Sequence, residues 1–169
     1  MSLLNKFTFL ASIFFIISCA TNKLAPLPEY VTSSDSQVKF YLHPIKISDT
    51  RMGKTMRMNA ETLYEEEVIK RLKKHNKLAE LPVEADYELK LNVLRYYKVG
   101  AEGYFNPFSG GPKSDHIETA VYVIDKKDGK LIGSGNIFYR DSSMFSSLKS
   151  MIENSAQDIL EYVMGNKLE

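Results

Sequence analysis

Residues 117–139 read IETAVYVIDKKDGKLIGSGNIFY, two extended runs facing each other across a polar turn. In the first run Ile117, Thr119, Val121 and Val123 share one side, the period of two that sends successive side chains to opposite faces of a strand. Asp128-Gly129 supplies the turn signal, because glycine takes the positive φ that a tight turn needs. The return strand is predicted over Lys130–Tyr139, where Gly133 and Gly135 point to a bulge or to another backbone passing close by. An antiparallel hairpin is therefore the centre of the fold.

Upstream, Tyr87, Leu89, Leu91 and Val93 alternate with Glu88, Lys90 and Asn92, which predicts a strand over Asp86–Val99. Val38–Ile47 (VKFYLHPIKI) alternates as well, and Pro44, which lacks an N–H for the ladder, must mark an end, a bulge or an edge. Between these two runs Asn59 can cap a helix, and Leu63, Tyr64, Val68, Ile69 and Leu72 recur near helical spacing, so a helix is expected over Asn59–His75. Residues 76–84, with Pro82, connect it to the next strand. Downstream, Leu148, Met151, Ile152, Ser155, Ala156, Ile159, Leu160 and Val163 form one stripe, a helix over Ser146–Met164 that Gly165 stops. The order β-α-β-β-β-α predicts an α+β fold, a two-layer, mainly antiparallel sheet with both amphipathic helices packed on the same face.

The amino-terminal stretch differs from all of this. Met1–Lys6 carries a basic side chain, and Phe7–Ile17 (FTFLASIFFII) is an apolar run of 11 residues, the pattern of a secretory signal. About 20 apolar residues are needed to span a bilayer, so a cleaved signal is expected rather than a membrane helix. The run ends in Ile16-Ile17-Ser18-Cys19, which resembles the lipobox of bacterial lipoproteins. In that family the branched and small residues, here Ile16, Ile17 and Ser18, are read by the signal peptidase, and the cysteine thiol, here Cys19, receives the lipid. No cofactor beyond this covalent lipid is expected. Two or three acyl chains anchor a protein stably where one binds only marginally. Ala20 stands where an enteric-type retention signal would place Asp, which favours the outer membrane.

Three units result: a signal peptide over 1–18, the lipidated cysteine and a flexible tether over 19–37, and one α+β domain over 38–169. Pro26, Pro28 and the Ser-rich end of the second unit support the tether reading. With 44% hydrophobic and 25% charged residues, the chain has enough apolar side chains to build a core. Of the 22 basic residues Lys6 leaves with the signal, so 21 remain against 21 acidic ones. That balance argues against nucleic acid, whose binders carry clustered uncompensated charge. The basic run Lys70-Arg71-Leu72-Lys73-Lys74 follows Glu65-Glu66-Glu67 and reads as i,i+4 pairing on a helix. The single cysteine excludes an internal disulfide.

In the order of its elements the chain resembles a group of bacterial lipoprotein domains related in fold to the amino-terminal domain of TolB and to the curli-secretion and penicillin-binding-protein-activator lipoproteins. The resemblance rests on the strand closed by proline (VKFYLHP), the Ala85-Asp86-Tyr87 start of a long strand, the VIDKKDGKLIGSG hairpin and the closing helix. It implies an adaptor or assembly protein rather than an enzyme. The long segment Gly100–His116 departs from that group, so no binding residue carries over.

Catalytic and metal motifs are sparse. His43, His75 and His116 are the only histidines, none at zinc-ligand spacing, and no GxSxG elbow, P-loop or dinucleotide fingerprint is present. No metal site is expected. The segment Gly100–His116 (GAEGYFNPFSGGPKSDH) is far longer than a usual hairpin loop and carries Tyr104, Phe105 and Phe108. These rings either contact a partner or bilayer, or fold back over an open edge of the core. The reading that follows is a lipid-anchored cell-envelope module that presents its domain to a protein partner. Its rival is an envelope enzyme or small-ligand carrier, with a site assembled from distant residues such as His43, His116 or Tyr104.

Overall fold

The computed structural model of the chain describes residues 24–32, 37–49, 51–97, 115–141 and 147–165. After a short helix α1 (Glu29–Thr32), the expected first strand is present in two pieces, β1 (Phe40–Leu42) and β2 (Lys46–Ile47). Pro44 lies between them, where its missing donor interrupts the ladder. Both run parallel to β3 (Tyr87–Tyr97), with Phe40 opposite Tyr87 and Lys46 opposite Asn92. β3 then pairs antiparallel with β4 (Asp115–Asp125), and β4 with β5 (Leu131–Asp141). The five strands form one sheet in the order β1-β3-β4-β5, with β2 alongside β1 on the same edge of β3. The fold is α+β, mostly antiparallel, as the element order implies.

Helix α2 (Lys54–Lys74) follows β2 and helix α3 (Leu148–Val163) closes the domain. They pack against each other and on one face of the sheet. α2 begins at Gly53 rather than at Asn59. The apolar period starting at Ala60 marks where the helix meets the sheet, whereas Lys54–Met58, with no breaker among them, already coil in solvent. At the start of α3 the Ser147 hydroxyl accepts from the Ser150 N–H at 3.0 Å, satisfying one of the donors that every helix start leaves over.

The core lies between the layers. Leu89, Val93, Val121, Val123 and Ile137 from the sheet meet Tyr64, Val68, Met151, Ile159 and Val163 from the helices, all essentially inaccessible. One polar knot crosses it: the Tyr64 hydroxyl lies 2.9 Å from Thr119 Oγ1 and 2.5 Å from Ser155 Oγ. Burial pushes the Tyr64 hydroxyl up to about 12, so it stays protonated and holds α2, β4 and α3 in register. Within α2 the buried Glu67 pairs with Lys70, three positions on, at 3.2 Å and with Arg71 at 3.9 Å, the latter at the i,i+4 spacing expected for this run. Arg71 also donates to Glu153 O at 2.6 Å and links the two helices.

The tether reading requires a correction. Residues 24–32 do not stand clear of the domain: Leu24 bridges antiparallel to Gly135, Ala25 N–H donates to Ser134 O at 3.0 Å, and Leu27 and Val31 are buried. A Cβ on Gly133 would collide with the Leu27 side chain and the Tyr162 hydroxyl, so the missing side chain makes the slot that Leu27 fills. The close approach foreseen at this glycine is thus made by the segment taken for a linker. Two buried apolar side chains, at about 1.5–3 kcal/mol each, suffice to dock it without leaving a helical or strand period to read.

Candidate functional site

With both helices on one face, the other face of the sheet carries side chains of the opposite parity. Near the end formed by Tyr97, Asp115 and Asp141, β3 has a bulge: its register shifts between Val93 and Arg95, so that Arg95 stands opposite Glu118 and Tyr97 opposite His116. Asp49, just past β2, fixes this irregular stretch. Its carboxylate accepts from Tyr96 N–H at 2.8 Å and Arg51 N–H at 3.0 Å, and meets the Arg51 guanidinium in a fork at 2.9 and 2.6 Å. Arg51 in particular holds the Asp49 carboxyl well below the usual carboxylate range.

Three rings then stack across three strands. The Tyr97 and His116 centroids are 5.4 Å apart with planes 14° from parallel, and those of His116 and Phe138 are 5.1 Å apart at 25°. A guanidinium stands at each end of the row, Arg51 6.0 Å from the Tyr97 centroid and Arg140 4.8 Å from that of Phe138. Because the rings use their faces on one another and on the arginines, the row presents ring edges and cations outward rather than an open stacking platform. Beside it lies an open cleft of about 550 Å³ lined by Ser48, Asp49, Arg51, Leu94, Arg95, Tyr97 and His116.

The charges at this end are layered. The side chains of Arg51 and Arg95 are 57% and 69% exposed, whereas those of their partners Asp49 and Glu118 are 4% and 18% exposed. Solvent therefore meets guanidinium groups first. Glu118 lies 3.7 Å from Arg95 and accepts from Asn136 at 2.9 Å, so it is held beneath them.

The other sequence candidates are dispersed. His43 pairs with Glu88 at 3.0 Å near β1, and His75 closes the C-terminus of α2 through its backbone N–H to Arg71 O. No group of three metal-ligating side chains occurs among the described residues. Ile16, Ile17, Ser18 and Cys19 lie outside the described residues, as do Tyr104, Phe105 and Phe108. Sequence reasoning passed over Arg51, Tyr97, Phe138 and Arg140. The available signal was an aromatic on the polar phase of β5, but only the register shows which ring stands beside it.

No family model matches the chain, and no curated protein matches it. Solved structures do. PelC from Paraburkholderia phytofirmans, described as a dodecamer, superimposes with a TM-score of 0.56 at 15% identity over 88% of this chain and 98% of that one. Protein XCC0632 from Xanthomonas campestris gives 0.53 at 14% identity over 86% and 90%. The hypothetical protein CT253 from Chlamydia trachomatis gives 0.53 at 13% identity over 76% and 99%. At these identities the likeness is one of fold.

Proposed function

We propose that the chain is a lipid-anchored assembly module of the bacterial cell envelope, cut before Cys19, acylated there, and presenting its α+β domain to a protein partner. The observation that carries this reading is the sequence Ile16-Ile17-Ser18-Cys19 at the end of an 11-residue apolar run behind a basic start. Two features support it. No described helix is long and apolar enough to cross a membrane, which is compatible with attachment through a lipid. The fold is also that of PelC, a protein described as a dodecamer, and further copies of this chain are therefore among the partners to be sought.

A binding role, not catalysis, suits the cleft beside the aromatic row. Both Asp49 oxygens are occupied by N–H donors, and the carboxylate is too weak a base to take a proton near neutral pH. The carrier reading retains one specific support, since His116 does line a cleft with convergent polar groups, as a small-ligand site would require.

The test is metabolic labelling with a fatty-acid analogue, followed by crosslinking in intact envelopes. The wild-type chain takes up label and crosslinks to a defined partner or to multiples of its own mass, and Cys19→Ala takes up none and leaves the membrane fraction. Label retained by Cys19→Ala would end the lipoprotein reading, and a labelled chain that remains monomeric and unpartnered would end the assembly role.

A further inference from the structure

The docked segment at Leu24–Thr32 determines how the domain meets the bilayer. If the lipid is on Cys19, four residues lie between it and Leu24, a span of five residue steps, and Leu24 is paired to the sheet. At about 3.3–3.6 Å per residue that leash reaches no more than ~18 Å. A domain of this size has a radius of gyration of about 15 Å, so the leash keeps it within about its own radius of the membrane, close enough for direct contact.

The direction of the chain selects the end that lies there. Leu24 is opposite Gly135 and Ala25 bonds to Ser134, antiparallel, so the backbone arrives at Leu24 from the side of Asn136 and higher-numbered residues of β5. That is the end carrying Phe138 and Arg140, with Tyr97 and His116 on the neighbouring strands. Arg140 is five residues from Gly135, roughly 17 Å along a strand and within the reach of the leash.

We propose that this end of the uncovered sheet face, with Arg51, Arg95 and Arg140 outermost around the Tyr97–His116–Phe138 row, rests on the bilayer and binds the phosphates of anionic lipid headgroups. The proposal rests on lipidation at Cys19. On this face the guanidinium groups of Arg51 and Arg95 stand outside their more deeply buried partners Asp49 and Glu118, while Asp115 and Asp141 at the same end share the strand parity of Ile117 and Ile137, on the helix side. Guanidinium is the side-chain group whose planar fork matches phosphate oxygens, and amphipathic rings suit the headgroup level. Docked this way, the hairpin at Asp128-Gly129 and the C-terminal half of α2 point away from the membrane and remain open to a partner.

The experiment uses the lipidated full chain reconstituted in nanodiscs of phosphatidylethanolamine, with and without phosphatidylglycerol. Once Cys19 carries its thioether-linked lipid, an introduced cysteine is the one free thiol. A fluorophore is placed through Asn136→Cys on the proposed contact side and, separately, through Lys74→Cys at the far end of α2. With headgroup-labelled quencher lipid, position 136 should be quenched several-fold more than position 74, and the contrast should grow with phosphatidylglycerol. Combining Arg95→Glu with Arg140→Glu should abolish that growth while the lipid, confirmed by intact mass, stays in place. Equal quenching at both positions, or a contrast indifferent to both phosphatidylglycerol and charge reversal, overturns the proposal. Absence of lipid on Cys19 overturns the anchor reading and this proposal together, and mass alone distinguishes that outcome. Should the double variant fail to fold, the comparison of the two lipid compositions on the chain with unaltered arginines decides.

Discussion

The Tyr162 hydroxyl donates to the carbonyl oxygen of Ala25 at 2.8 Å, a bond between residues 137 positions apart that ties the last helix to the segment in front of the first strand. The same hydroxyl sits over Gly133, where Leu27 also lodges. Helix α3, strand β5 and the amino-terminal segment therefore share one small contact. Its integrity sets the length of the leash.

Gly133→Ala should accordingly expel Leu27, because the added methyl meets both Leu27 and the Tyr162 hydroxyl. The expected cost is about 1–3 kcal/mol, the range for overpacking a filled site. Tyr162→Phe removes the bond to Ala25 without the clash and should cost about 1 kcal/mol. Limited proteolysis checks both: cleavage within 24–32 should precede loss of the domain, and more readily in Gly133→Ala. Equal protease resistance in all three proteins would show that the segment is not held by this contact.

A second expectation concerns acid. Asp158 on α3 is more than half buried, and burial first, then the neighbouring Glu161, pushes its carboxyl from 3.8 up to about 6. An acid whose folded value lies above its unfolded value binds more protons when folded, so its contribution to stability is present at low pH and lost as pH rises from about 4 through 6. Asp158→Asn should raise the melting temperature at pH 7, by the equivalent of roughly 1 kcal/mol after allowing for screening of the exposed part. It should also flatten the melting profile between pH 4 and 6. A variant with the same slope as the parent would show that another group titrates there.

The stripe on α3 gives a third. Ile159 is wholly buried and Leu160 nearly so. Ile159→Asp places an unpaired carboxylate in the core at a cost of several kcal/mol, comparable to the roughly 5–15 kcal/mol a domain has in all. Expression should yield little folded protein. Soluble Ile159→Asp with unchanged melting would mean that α3 is not docked on the sheet.

What the sequence revealed follows from what a local pattern can encode. Alternation in Tyr87–Val93 and Ile117–Val123 and the stripe from Leu148 to Val163 are repeated signals, each reporting one buried face many times over. The parallel pairing of β1 with β3 was not legible, because Phe40 opposite Tyr87 depends on how α2 crosses between them. The docking of Leu27 was half legible, in Gly133, which announced a close neighbour without naming it. The aromatic row escaped altogether, since Tyr97, His116 and Phe138 come from three strands and meet only through a register shifted by the bulge at Leu94.

The last prediction concerns Tyr104, Phe105 and Phe108, whose segment leaves the sheet after Tyr97 and returns before His116, the first two rings of the row. Two roles are open to them, cover for the core or contact with a partner or bilayer. Their neighbours Gly103, Asn106, Pro107 and Gly110 favour turns, the local chemistry of a segment that carries side chains outward. Replacing all three with Ser should leave the melting temperature nearly unchanged and weaken envelope or vesicle association, because anchor aromatics carry much of the energy of a contact. A core role predicts the reverse, a loss of several kcal/mol through lost burial and cavities. Melting and association measured on the one triple variant separate the two, and a large fall in melting temperature would place these rings in the core.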